Sequence, residues 1–177
     1  LILVTQVETW LFMDRDRADA AEMPTILVEK DASGAKSFTT MRTLFQLKKW
    51  TGQHRFVPFL SCGEASYRAY EVFHVDAKPP FAILESGGVL MKDNERDEAY
   101  DSALQDAGVT TDRERIAFAV DYLERELGEQ VILAIDEPVA SHTRVPENLF
   151  VPGNVMQTSE QLFGWANREQ TERGDAQ

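Results

Sequence analysis

Cysteine is nearly missing from this chain: Cys62 stands alone among 177 residues. No disulfide framework can be closed within it, which fits a reducing compartment. Basic residues are also short, 18 Lys and Arg against 30 Asp and Glu, for a formal net charge of -12. A nucleic-acid backbone or an anionic membrane surface needs a basic face, so neither is expected as a partner. No apolar run approaches a membrane span. The opening Leu1-Ile2-Leu3-Val4 is too short for the core of a signal peptide, and no basic segment precedes it. A cytoplasmic protein is expected, and the absence of a leading Met points to processing or trimming. The three histidines, His54, His74 and His142, show no ligand spacing and read as surface residues.

What is present suffices for a folded domain. Apolar residues make up 43% of the chain, and its length is that of one ordinary domain. Leu1 to Val4 is an unbroken apolar run, the pattern of a strand buried on both faces. Ile26 to Val28, Phe56 to Leu60, Phe81 to Leu84 and Val131 to Ile135 read as further strands. Gly87-Gly88 marks a turn, with Val89 to Met91 as the returning strand of a hairpin. Between these lie helical patterns: Met41 to Trp50, Gly63 to Phe73, Glu95 to Ala107 with Gly108 as its stop, and a helix opening on Thr111-x-x-Glu114. That last pattern is a capping box, and Ile116, Val120, Leu123 and Leu127 give the helix its apolar stripe. Phe150-Val151 reads as a last short strand and Ser159 to Arg168 as a last helix. Residues 1–170 are expected to form a single core domain, with 171–177 a frayed polar tail.

Strands alternating with helices predict a mainly parallel sheet covered on both faces. Ligands bind such sheets beyond the carboxyl ends of the strands. Attention therefore falls on Gln6 to Trp10, Ser61 to Glu64, Glu85 to Gly88 and Asp136 to Ala140.

Those segments carry a resemblance. Leu3-Val4-Thr5-Gln6-Val7-Glu8-Thr9-Trp10-Leu11-Phe12 resembles the first motif of the haloacid dehalogenase superfamily of phosphohydrolases, a strand ending in Asp-x-Asp-x-Thr. Phe56 to Ser61 followed by Tyr67-Arg68 is similar to the second motif. Phe81-Ala82-Ile83-Leu84-Glu85-Ser86-Gly87-Gly88 resembles the apolar strand that ends in Asn-Gly-Gly. Ala119 to Gly128 resembles the third-motif helix, and Leu133-Ala134-Ile135-Asp136-Glu137 the fourth motif. The resemblance implies an α/β, three-layer Rossmann-like fold: a mainly parallel sheet with helices on both faces and a small β-hairpin. The branch it is most similar to, the sugar-phosphate phosphatases, carries a cap domain after the Gly-Gly hairpin. Here about 40 residues separate the hairpin from the Val131 strand, room for a pair of connecting helices, so a reduced or missing cap is expected.

Carried over residue by residue, the resemblance implies a damaged site. Gln6 stands where the nucleophilic carboxylate belongs, and an amide is a poor nucleophile. Glu8 stands at the acid/base position, one methylene longer than the aspartate it replaces. Ser61 is the phosphate-binding hydroxyl. Ile116 falls near the position of a lysine and cannot supply its charge, leaving Arg113 or Arg115 to do so. Asp136 is the metal ligand, and Ala140 stands near a second metal-site carboxylate. A Mg²⁺ site is implied, weakened by the lost charge. A competing frame, Trp10 to Ala18, makes Asp14 the nucleophile and Asp16 the acid, but it orphans the better strand at Leu1 to Val4. The expectation is a domain of phosphohydrolase lineage that binds a small phosphorylated ligand or a protein partner. The alternative is an active Mg²⁺-dependent phosphatase working through an aspartyl-phosphate.

Overall fold

The computed structural model describes residues 2–7, 15–20, 24–30, 36–51 and 55–134. Within them a six-stranded sheet forms the centre. Its strands are β1 (Ile2–Gln6), β4 (Arg55–Phe59), β5 (Phe81–Leu84), β6 (Val89–Lys92), β7 (Glu95–Arg96) and β8 (Val131–Ala134). Across the sheet they run β7-β6-β5-β4-β1-β8. β1 pairs parallel to β8, with Val4 opposite Leu133, and parallel to β4, with Val4 opposite Val57. β4 is parallel to β5, and β6 and β7 then turn back antiparallel. The expected pairing of the first apolar run with the Val131 strand is therefore found. β1 is interior, while β8 is the last strand of the described sheet.

Alternation along the strands divides the core into two layers. Leu3, Phe56, Ala82, Leu84, Met91 and Ile132 face one side. There they meet Leu44 and Leu47 of α2 (Met41–Thr51), Tyr67 of α3 (Glu64–Ala69), and Val72 and Phe73 of a π-helical turn, Val72–Asp76. Ile2, Val4, Val57, Phe59, Ile83, Leu90, Val131 and Leu133 face the other side. They pack on Tyr100 of α4 (Glu98–Ala107) and on Ile116, Ala119, Val120 and Leu123 of α5 (Asp112–Leu127). Strands buried on both faces explain the unbroken apolar runs in the sequence.

Local chemistry sets the element ends. Thr40 Oγ1 accepts the Thr43 N–H at 3.0 Å, capping α2. Asp97 caps α4 by accepting from the N–H groups of Ala99 and Tyr100, and Gly108 closes that helix in the left-handed region. Thr111 and Glu114 form the expected capping box on α5, and Gly128 ends it. Pro58 lies inside β4. The Leu60 N–H, two residues on, donates to the Ile83 carbonyl, so Pro58 presents its donorless nitrogen to the same neighbour. The β4–β5 register is accordingly confined to Phe59 opposite Ile83.

Four details depart from the sequence expectation. Glu95 and Arg96 form the short strand β7, and the helix expected from Glu95 begins at Glu98. The helix expected over Gly63 to Phe73 breaks at Tyr70 and resumes as the π turn. A polar strand, β3 (Lys36–Thr40), pairs antiparallel with β2 (Thr25–Lys30) in a separate two-stranded sheet, beside the short helix α1 (Arg15–Ala20). His74, read as a surface residue, is half-buried, with Nε2 3.2 Å from the Tyr67 carbonyl and its ring edge-on to Tyr67. The expected strand at Phe150-Val151, the helix at Ser159 to Arg168 and the tail from 171 lie outside the described residues. Among the described residues no helix is long and apolar enough to cross a membrane.

Candidate functional site at the carboxyl edge of the sheet

Because β1, β4, β5 and β8 run parallel, their carboxyl ends open on one edge. Gln6 closes β1 there, half-buried and opposite Phe59. Ser61 follows β4 by two residues and is exposed. The two residues chosen from the first and second motifs thus share an edge on neighbouring strands. Cys62 is half-buried and packs against the core on the α2 and α3 side. Glu8, Asp14 and Asp136 lie outside the described residues, as do Trp10 and Ala140. Asp16 is exposed in the first turn of α1, on a helix and not at a strand end. Ile116 is buried in the core, Arg113 is exposed, and Arg115 is half-exposed.

The loops after β4 and β5 are tied together. The Glu85 N–H donates to the Cys62 carbonyl at 3.2 Å, and the Gly88 N–H donates to the Glu85 carbonyl at 3.0 Å. Glu85 and Ser86 both hold φ at 52°, and Gly87 follows at 90°. The left-handed region costs a non-glycine residue roughly 1–2 kcal/mol, so two such residues in sequence need outside support. It comes from two directions. The Tyr100 hydroxyl donates to the Gly87 carbonyl at 2.6 Å, and the first turn of α5 presses on Gly87. A Cβ on Gly87 would lie 2.6 Å from the Arg115 carbonyl carbon. Burial pushes the Tyr100 phenol well above its ordinary value, so it stays a proton donor to that carbonyl; burial pushes Tyr67 up to about 12.

This loop holds a charged group in a segment singled out by its place after β5, to which the resemblance assigns no role. The Glu85 carboxylate is exposed and lies against Gly63, where a Cβ would come within 3.1 Å of its Oε1. It makes no side-chain hydrogen bond or ion pair among the described residues. A sequence signal existed: a charged residue directly before Ser-Gly-Gly, in a bend that demands left-handed backbone.

The donors described on this edge are Gln6, Ser61 and Glu85. Gln6 offers a neutral amide, Ser61 a neutral hydroxyl and Glu85 a carboxylate; Mg²⁺ is held by carboxylates in near-octahedral geometry, and Glu8 and Asp136 lie outside the described residues. Among the described residues no cluster of three His, Cys, Asp or Glu side chains stands ready for a metal. No family model matches the chain, and no curated protein sequence matches it.

Proposed function

We propose that the chain is a haloacid dehalogenase-like domain of phosphohydrolase lineage whose site no longer turns over substrate and which acts by binding a ligand or partner. One observation carries the reading. The strand bearing the first-motif resemblance, β1, lies parallel between β4 and β8, which bear the second- and fourth-motif resemblances, and it ends in Gln6. Where an aspartyl-phosphate would form, the chain offers an amide, whose nitrogen lone pair is delocalised and whose oxygen carries no formal charge. Ile116, near the place of a clamping lysine, is sequestered in the core and supplies no charge. What remains is recognition: the Ser61 hydroxyl and the Gln6 amide donate and accept hydrogen bonds without needing to be titrated.

The test is a steady-state assay of purified protein on a panel of phosphoesters with Mg²⁺ titrated in, beside Gln6→Ala and Asp14→Asn. Background rates throughout are expected. Turnover that disappears in Gln6→Ala would refute the reading. Turnover that survives Gln6→Ala and dies in Asp14→Asn would transfer the activity to the Asp14 and Asp16 frame. The exposed position of Asp16 in α1 weighs against that outcome.

A further inference from the structure

On the other side of the Glu85 loop, toward β6 and β7, lies a cleft of about 360 Å³. Glu85, Arg96, Asp101, Leu104, Val109 and Arg115 contribute to its walls. It is removed from Gln6, since β4 separates β1 from β5 and adjacent strands lie about 4.8 Å apart. It is also built from different elements: the β5–β6 loop, β7, α4 and the first turn of α5.

The charges on its walls are not equally committed. Arg96 Nε donates to Asp101 Oδ2, so this pair is neutralised within the wall. Among the described residues Arg115 pairs with Asp112 alone, at 3.7 Å, and the Asp112 side chain is 67% exposed. Contacts of that length and exposure are worth little and break readily. The Glu85 carboxylate lies in the field of the Arg96 guanidinium, yet among the described residues it has no hydrogen bond or ion pair of its own. Among the described residues a loosely held cation, Arg115, and a carboxylate without a direct partner, Glu85, therefore share a cleft whose remaining wall includes the apolar side chains of Leu104 and Val109.

We propose that this cleft binds a small zwitterion of amino-acid type, with its carboxylate on Arg115, its ammonium on Glu85 and a short apolar side chain against Leu104 and Val109. Charge selects this class over the simpler ones. A plain anion meets Glu85 and the field of a chain with net charge -12. A plain cation meets Arg115. A neutral zwitterion meets an opposite charge at each end and pays no penalty to the global field. The cleft holds one such molecule with room for a side chain. The strained Glu85–Ser86 backbone acquires a purpose, since it fixes where the carboxylate stands. The inference does not rest on the reading of the Gln6 edge.

The experiment is calorimetric and NMR titration of the full chain with three probes: L-norvaline, butyrate and butylamine. L-Norvaline is expected to bind with a Kd on the order of millimolar, and each singly charged probe at least about tenfold more weakly. Arg115→Gln and Glu85→Gln should each weaken L-norvaline by a similar factor, with the folded NMR spectrum retained, while Arg115→Lys should keep most of the affinity. Three outcomes would overturn the proposal. They are no L-norvaline binding to wild type, equal binding of L-norvaline and butyrate, or L-norvaline binding that is unchanged in both glutamine variants.

Discussion

At the scale of single residues, the loop from Glu85 to Gly88 is constrained from two sides. Gly87 has no room for a side chain, because a Cβ would lie 2.6 Å from one backbone atom of α5 and 2.7 Å from another. These are backbone atoms, so no rotamer change relieves the clash. Its φ of 90° adds strain for any L side chain. Gly87→Ala is therefore expected to destabilise the fold by about 3 kcal/mol or more, read from a urea unfolding midpoint. Tyr100→Phe tests the other support. It deletes the donor to the Gly87 carbonyl without opening a cavity, so the cost is that of one lost buried hydrogen bond, about 1–2 kcal/mol. If Tyr100→Phe is neutral, the hydroxyl is not what holds the loop. Neither constraint is visible in the letters Glu-Ser-Gly-Gly, because both come from helices that follow in sequence.

At the scale of elements, the capping box of α5 shows what local sequence does announce. Thr111 Oγ1 accepts the Glu114 N–H, and the Glu114 carboxylate accepts the N–H groups of Thr110 and Thr111. These bonds favour the ionised acid, the one from Thr111 most, and hold Glu114 below the ordinary carboxylate range. A depressed folded value stabilises above the unfolded value and is lost as pH falls through the folded one. Unfolding free energies of wild type and Glu114→Gln should differ at neutral pH, and that difference should shrink as pH drops through the acidic side of the carboxylate range. Thr111→Ala should cost about 1 kcal/mol. The same local logic made the strands β1, β5 and β8 and the stop at Gly108 legible, because double burial and left-handed caps write themselves into composition. It failed on β3, where Lys-Ser-Phe-Thr-Thr carries no apolar run and the strand is made by pairing with β2. It fails on β7 as well, because Asp97 both ends a two-residue strand and caps α4, while the helical pattern of the sequence runs back across it to Glu95.

At the scale of the whole molecule, a crevice at the carboxyl edge is legible only in outline. The apolar runs predicted parallel strands, and parallel strands place Gln6, Ser61 and Glu85 on one edge. What occupies that edge chemically depends on side chains from several elements acting together. Among the described residues it offers Gln6 and Ser61 as neutral donors and acceptors beside the Glu85 carboxylate, with the Ile116 side chain buried in the core. This decides what a single repair can achieve. Gln6→Asp restores a carboxylate at the end of β1, yet it leaves Ile116 in the core and supplies no cation to bind a phosphoryl group. Catalytic residues that act as a unit are grossly non-additive, so one restored member recovers little of the whole. Gln6→Asp also adds a negative charge to a chain already at -12, which opposes the approach of an anionic ester. The expected result is that Gln6→Asp stays within about tenfold of the wild-type background on small phosphoesters with Mg²⁺ present, where a functioning general acid alone contributes about 10²–10⁴-fold in a complete site. The measurement is a single-turnover and steady-state comparison of the two proteins, with acid-quench trapping of any covalent phosphoenzyme. A stable phosphoenzyme in Gln6→Asp, or a rate gain beyond about 10²-fold, would mean that the remaining machinery is intact and that the amide alone silences the site.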